Sequence, residues 1–229
     1  MASTVSANII TDGLVLYLDA ANTKSYVSGS TTWNDISGFQ NNGILTNGPT
    51  FNTGSGGSIV FDGVDDYVET INNINISGSQ ARTFESWVYI TQNANKNIMG
   101  MGSGTNGTLF DTITWFSGGY LRVIGHYYGA GFDTISTLPA RNTLNINAWN
   151  QVTHTYDGTT IAIYTNGVFS NSGNFTLNTL NTKATIGAGN FSGYNFLNGR
   201  AASFRIYNRA LSVDEVLQNY NATKTRYGL

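Results

Sequence analysis

Hydrophobic residues along this chain come in short clusters separated by Gly, Asn, Asp and Ser. Residues 14–18 (LVLYL), bounded by Asp12-Gly13 and Asp19, read as a buried strand. A loop-rich stretch follows, in which Trp33, Ile36 and Phe39 stand as isolated anchors. Extended segments then recur at short spacing, over 58–61, 67–70, 83–90, 97–101, 108–116 and 120–128. The clearest hairpin series is 150–168. There His154 and Tyr156 lead into Asp157-Gly158, Ile161 and Ile163 alternate, and Asn166-Gly167 supplies the next reversal, so a meander is expected. Further strands are predicted over 184–186 and 202–207. One helix is expected near the end, where Ser212 and Glu215 form a capping box and Val213, Val216, Leu217 and Tyr220 line one face. Many short strands, turn signals and a single helix predict an all-β fold, a two-sheet antiparallel jelly-roll sandwich with one short C-terminal helix. No fixed-period repeat or change of composition divides the chain. Residues 12–229 are therefore read as one domain, with 1–11 as an N-terminal arm or tail whose Ile9-Ile10 pair has no place in the sandwich.

Composition narrows the possibilities. The 229 residues are 40% hydrophobic and 13% aromatic, enough for a large core, yet only 10% are charged, so Asn, Thr, Ser and Gly must make most of the polar surface. With 11 basic and 13 acidic residues the net charge is -2, which provides no field to attract a phosphate backbone, and nucleic acid is not an expected partner. The absence of cysteine excludes disulfide scaffolds and thiol catalysis. No apolar run approaches the roughly 20 residues of a spanning helix, and MASTVSANII lacks the pattern of a secretory leader. Membrane insertion is not expected.

Candidate chemistry is sparse. Glycoside hydrolysis needs two carboxyl groups about 5 to 9.5 Å apart. The only glutamates are Glu69, Glu85 and Glu215, and no strand carries a Glu-x-Asp-x-Glu arrangement. Glu215 is explained by its cap and Asp65-Asp66 by a turn, which leaves Glu85 as the one strand-borne acid, without a partner in sequence reach. His126 and His154, the only histidines, sit among aromatics in strands and read as packing residues. The spacing Gly102-x-Gly104-x-x-Gly107 lacks the following helix that a dinucleotide site needs. Asp35 and Asn41 offer oxygen ligands for calcium across a Ser-Gly turn, the alternative being an Asx-turn in which Asp35 ties down its own loop. Aromatic and amide side chains suited to sugars or to a neighbouring subunit gather at Trp115, Phe116, Tyr120, His126, Tyr127, Tyr128 and Phe132, with Tyr194 in a loop that frames such a site.

Several segments together resemble the laminin G-like jelly rolls of the concanavalin A-like lectin/glucanase superfamily. These are WNDISGFQNNG (33–43), SIVFDGVDDYV (58–68), FESWV (84–88), the Trp, Tyr-Asp-Gly and Tyr-x-Asn-Gly run over 149–167, and FRIYNRALSVDE before the helix. The resemblance spans roughly 12–222 and implies the sandwich fold, but the superfamily holds glycosidases and lectins alike. Related jelly rolls often hold calcium at the rim, whereas their later acidic pair is here replaced by Arg200-Ala201-Ala202-Ser203. The opening (NIITDGLVLYLDAANTKSY) and the ending (LQNYNATKTRYGL) resemble structural or fibre modules of bacteriophages. The expected function is therefore a non-catalytic module on a virion surface, a capsid decoration or tail or fibre protein, that adheres to host glycans. It would be assembled in the host cytoplasm beside other virion proteins and copies of itself. The alternatives are a purely architectural cement protein and, further off, a glycoside hydrolase.

Overall fold

The computed structural model describes residues 8–103, 108–117, 120–126, 143–189 and 196–229. The strands are β1 (Leu14–Asp19), β2 (Thr32–Trp33), β3 (Gly43–Thr46), β4 (Thr50–Asn52), β5 (Ser58–Asp62), β6 (Tyr67–Thr70), β7 (Arg82–Ile90) and β8 (Lys96–Gly102). They continue with β9 (Leu109–Ser117), β10 (Tyr120–His126), β11 (Trp149–Tyr156), β12 (Thr160–Thr165), β13 (Val168–Asn174), β14 (Thr185–Ile186) and β15 (Asn198–Tyr207). Helix α1 (Val213–Thr223) and a 3-10 turn (Lys224–Tyr227) complete the chain. An eight-stranded sheet runs β13-β12-β11-β7-β15-β5-β4, with β1 also paired to β15, and a seven-stranded sheet runs β10-β9-β8-β14-β6-β3-β2. Strand pairing is antiparallel throughout, giving the expected jelly-roll sandwich with its short C-terminal helix.

Alternation along the strands puts one face of each sheet into a shared core. Phe84, Val88 and Ile90 of β7, Val152 and Tyr156 of β11, and Phe204 and Ile206 of β15 meet Val68, Met99, Met101, Phe110 and Ile186 of the other sheet. Trp33 is fully buried there, but Phe39, expected as a second anchor, is 60% exposed. The stretch read as loop carries β2, β3 and β4, each too short to show a periodic pattern. Gly43 in β3 is required by packing, since a Cβ there would stand 2.6 Å from Val68 Cγ1. The Asn166-Gly167 reversal has both residues at positive φ, 52° and 74°, the conformation a two-residue hairpin demands.

The larger sheet is buried on its outer face as well, beneath α1 and the turn after it. Trp87 and Trp149 are buried under this cover rather than between the sheets, because odd-numbered residues of β7 and β11 point outward. The Trp87 ring stacks at 4.0 Å on Tyr227 and its Nε1 donates to Thr223 Oγ1 at 2.9 Å. Arg226 holds the cover down, donating to Asp19 Oδ1 and to the Ser55 and Gly57 carbonyls at 2.6 to 2.7 Å. The capping box of Ser212 and Glu215 forms as expected, and bidentate hydrogen bonds from Arg209 hold the Glu215 carboxyl down at a pKa of about 2.

The buried face of α1 differs from the expected one. Val216 and Asn219 are buried, while Val213 and Leu217 are 53% and 42% exposed. A polar contact explains the rotation. Glu85, on the outer face of β7, is fully buried in an ion pair with Arg205 of β15, and Asn219 Nδ2 donates to the second Glu85 oxygen at 3.0 Å. Burial opposes the charge on Arg205, but Glu85 outweighs it and raises the guanidinium pKa further. Asn219 also donates to the Tyr207 hydroxyl and accepts the Ile10 N–H, so Ile10 packs beside Leu14, Tyr164 and Val216 in a second small cluster.

His154 points into the main core, stacked on Phe110 at 4.8 Å with Nδ1 3.0 Å from Thr112 Oγ1. Desolvation lowers its pKa to about 3. The folded state therefore keeps the ring neutral while the unfolded chain takes up a proton below about 6.5. Stability should fall as pH drops from 6.5 towards 3, with carboxylates such as Glu215 adding to the loss below about 4.5. Urea titrations of His154→Gln should show a flatter slope between pH 6.5 and 4.5. Glu85→Ala, which strands Arg205 under the helix, should cost about 3–5 kcal/mol in the same assay. The double variant Glu85→Leu, Arg205→Met should recover most of it.

Candidate functional site

The loop between β2 and β3 forms one rim of the sandwich, and Asp35 organises it. Its Oδ1 accepts the Tyr17 and Ser37 N–H groups, both at 2.8 Å, and its Oδ2 accepts the Ser37 hydroxyl at 2.8 Å and the Asn41 N–H at 3.0 Å. Four donors satisfy the carboxylate. Asn41 is brought beside it, as the sequence suggested for calcium, but its Nδ2 donates to the Val15 carbonyl at 3.0 Å. The geometry is that of the Asx-turn alternative. Arg200 to Ser203, where the related acidic pair would fall, lies within β15.

This loop turns Phe39 outward beside a cavity of about 490 Å³, within the range of small-molecule sites. Phe39, Val15 and Ile74 supply its apolar part, and Asn41, Asn72, Asn73, Asn75 and Asn208 the rest. The donor ends of three amides fix the loops: Asn41 as above, Asn72 to the Gln40 carbonyl at 3.3 Å, and Asn73 to the Asn181 carbonyl at 3.2 Å. Their carbonyl oxygens accept no hydrogen bond from the described residues. No lining side chain is charged. A second cavity of about 540 Å³ lies between residues 26–31 and 45–51, but its polar groups serve their own turns, Tyr26 donating to the Ser30 carbonyl and Ser30 to that of Thr32. Sequence reasoning missed Asn72, Asn73 and Asn75. The available signal was INNINI over 71–76, in which Ile74 and Ile76 are buried and Asn72, Asn73 and Asn75 are exposed.

The aromatic candidates are distributed otherwise. Trp115 and Phe116 lie on β9, and Tyr120 and His126 on the adjoining β10, with Arg122 opposite Trp115 and His126 opposite Asp111. Phe116 is 39% exposed. Tyr127, Tyr128, Phe132 and Tyr194 lie outside the described residues, as do Gly104 and Gly107 of the glycine pattern.

Most of the described acids hold structure. Asp12 and Glu215 pair with Arg209, Asp19 with Arg226, Glu69 with Lys183 and Glu85 with Arg205. Asp157 caps its turn by accepting from Thr159 and Thr160 N–H groups. Asp62, Asp65 and Asp66 come together in the turn between β5 and β6, where Asp62 accepts the Val64 N–H and Asp66 the Asp62 N–H. Glu69 and Asp111 share the outer face of the smaller sheet, through the register Glu69, Thr185, Gly100, Asp111. Three strand spacings separate them by roughly 14 Å, beyond the reach of a glycosidase pair.

The fold and this rim define a lectin-type jelly roll by architecture. The chain belongs to the concanavalin A-like lectin/glucanases superfamily, whose laminin G-type family model matches residues 62–217. Among solved structures it is similar to domain 4 of AbnA, a GH43 extracellular arabinanase from Geobacillus stearothermophilus in complex with arabinotriose, with a TM-score of 0.66 and 17% identity over 90% of this chain and 98% of that one. It is also similar to the binding domain of Paraclostridial mosquitocidal protein 1, with a TM-score of 0.69 and 19% identity over 93% of this chain and 52% of that one. The botulinum neurotoxin serotype D ligand binding domain in complex with N-acetylneuraminic acid aligns with a TM-score of 0.65 and 16% identity, over 92% and 51%. The chain thus spans about half the length of these toxin binding domains. No curated protein sequence matches it.

Because four protein donors satisfy Asp35, adding calcium or a chelator should leave the melting temperature unchanged. Asp35→Ala should lower stability by about 2–4 kcal/mol in denaturant titration, since it leaves several loop N–H groups without an acceptor.

Proposed function

We propose that the protein is a non-catalytic glycan-binding module carried on a virion exterior. The binding half of this reading rests on one observation, the uncharged cavity in which an exposed Phe39 stands beside five asparagines. An aromatic ring offers a face to the C–H side of a sugar ring, and amides match its hydroxyl groups. Cavities with a few convergent polar groups are the usual form of small-ligand sites. Without charge in the lining, the ligand class is a neutral carbohydrate. The sugar-bound structures of AbnA domain 4, with a neutral arabinotriose, and of the neurotoxin domain, with an acidic sugar, support glycan binding as such. Its non-catalytic part is supported by the engagement of most of the described carboxylates in turns, a cap and ion pairs. The virion setting draws on the resemblance of the two end segments to phage structural proteins and on the low charge content, which suits a surface exposed to varying salt.

A glycan array with the intact chain, followed by calorimetry on the neutral glycans retained, tests the binding reading. Phe39→Ala and Asn72→Ala should each lower affinity roughly tenfold, the first leaving stability within about 0.5 kcal/mol and the second, which gives up the exposed hydrogen bond to Gln40, within about 1 kcal/mol. Affinity should not change between about 0.01 and 1 M ionic strength. Silence across the array would instead favour an architectural cement protein. For that role the exposed Val168 and Phe169 of β13 offer apolar contact area. Mass spectrometry of purified particles checks the virion setting.

A further inference from the structure

The neutral cavity is not isolated. Asn73, which lines it, also lines a further cavity of about 300 Å³ formed with Glu69, Gly102, Asn181, Thr182 and Lys183. The segment leaving β6 therefore serves both spaces. We infer that the two form one binding track for a linear neutral oligosaccharide, with Asn73 at the junction and the Lys183–Glu69 pair reading a sugar unit beyond the one held at Phe39. This rests on the glycan-binding reading and adds a ligand class, an extended chain in place of a single terminal sugar.

The floor between the two spaces is rigid. Residues 73–75 are zipped to 181–182: the Ile74 N–H donates to the Thr182 carbonyl at 3.1 Å, the Asn75 N–H to Asn181 Oδ1 at 2.8 Å, and Asn181 Nδ2 returns a bond to Asn75 Oδ1 at 3.2 Å. Thr182 Oγ1 accepts the Gly102 N–H at 2.7 Å, which ties the zipper to β8. A track already held in shape loses little conformational freedom when a chain is laid along it. At its far end, Lys183 Nζ donates to Glu69 Oε2 at 2.9 Å, with both side chains about two-fifths exposed. That places an ammonium donor beside a carboxylate acceptor in reach of solvent. Neighbouring hydroxyls of one sugar, one accepting and one donating, match such a pair, and charge-assisted hydrogen bonds are stronger than those the amides make.

The test is calorimetry of the intact chain against linear gluco-, xylo- and arabino-oligosaccharides, from monosaccharide to hexasaccharide. Affinity for the series that binds should climb about tenfold with length and then level off. Lys183→Ala and Glu69→Gln should each abolish that climb and leave the affinity for the shortest binding sugar as it is. Both alter an exposed ion pair, and thermal melting verifies that the fold survives. Short sugars that bind with no gain on lengthening, or a gain that persists in both variants, overturn the track and leave the glycan-binding reading standing. Failure of every length to bind overturns both.

Discussion

The centre of the eight-stranded sheet, β7, β11 and β15, is closed to water on both faces, and the rest of the molecule is arranged around that constraint. A sandwich needs only its inner faces covered. Here the outer face of β7, β11 and β15 carries Trp87, Trp149, Glu85 and Arg205, which must be covered too. Eleven residues of helix and the short turn after it supply the cover. Because one of the buried groups is a carboxylate, the cover cannot be simply apolar: Asn219 completes the hydrogen bonding of Glu85, and Thr223 that of the Trp87 indole. A buried ion pair of this kind contributes little net stability compared with apolar residues of equal size, but it penalises any other seating of the helix. That penalty explains why Leu217 is left facing solvent.

The same chemistry governs what the surface can do. A chain with few acids has committed most of those described here to loops, caps and ion pairs, and the rim beside Phe39 is made of amides and one exposed phenyl ring. The contrast between the two larger cavities shows what matters. Both are of useful size, but in the one beside Tyr26 the turn consumes its own polar groups, whereas beside Phe39 the amides of Asn41, Asn72 and Asn73 spend their donors on the scaffold and keep acceptors in hand. Polar groups held in place by the fold yet still able to bond outward are what recognition of an uncharged, hydroxyl-rich ligand requires.

Much of the fold was legible because its signals are local. Asn166-Gly167 demands one turn geometry, Ser212 and Glu215 one helix start, and the alternation of β7, β11 and β12 one choice of inner face. The rotation of α1 was not legible, since it depends on a contact between residues 85 and 219 that only the closed fold creates. Strands β2 to β4 escaped for the opposite reason, being too short to show a period. At the site, Asp35 and Asn41 stood out through ligand spacing, and the structure assigns their hydrogen bonds to the loop. Asn72, Asn73 and Asn75 looked like ordinary loop asparagines, and only their distance from Phe39 in space, which is invisible in a chain read end to end, marks them. Of the aromatic candidates, Trp115, Phe116, Tyr120 and His126 fall on β9 and β10, and the others lie outside the described residues.

Strand β15 occupies the middle of the larger sheet and pairs with β1, β5 and β7. Its partners come from the first half of the chain, so the sheet cannot close until residues 198–207 are available, and its seams join segments more than a hundred positions apart. Assembly is consequently late and dominated by distant pairing, which places the protein among slow folders. During that interval β1 and β7 have unsatisfied edges, and the scarcity of charge that suits the finished surface offers them little protection against joining the wrong neighbour.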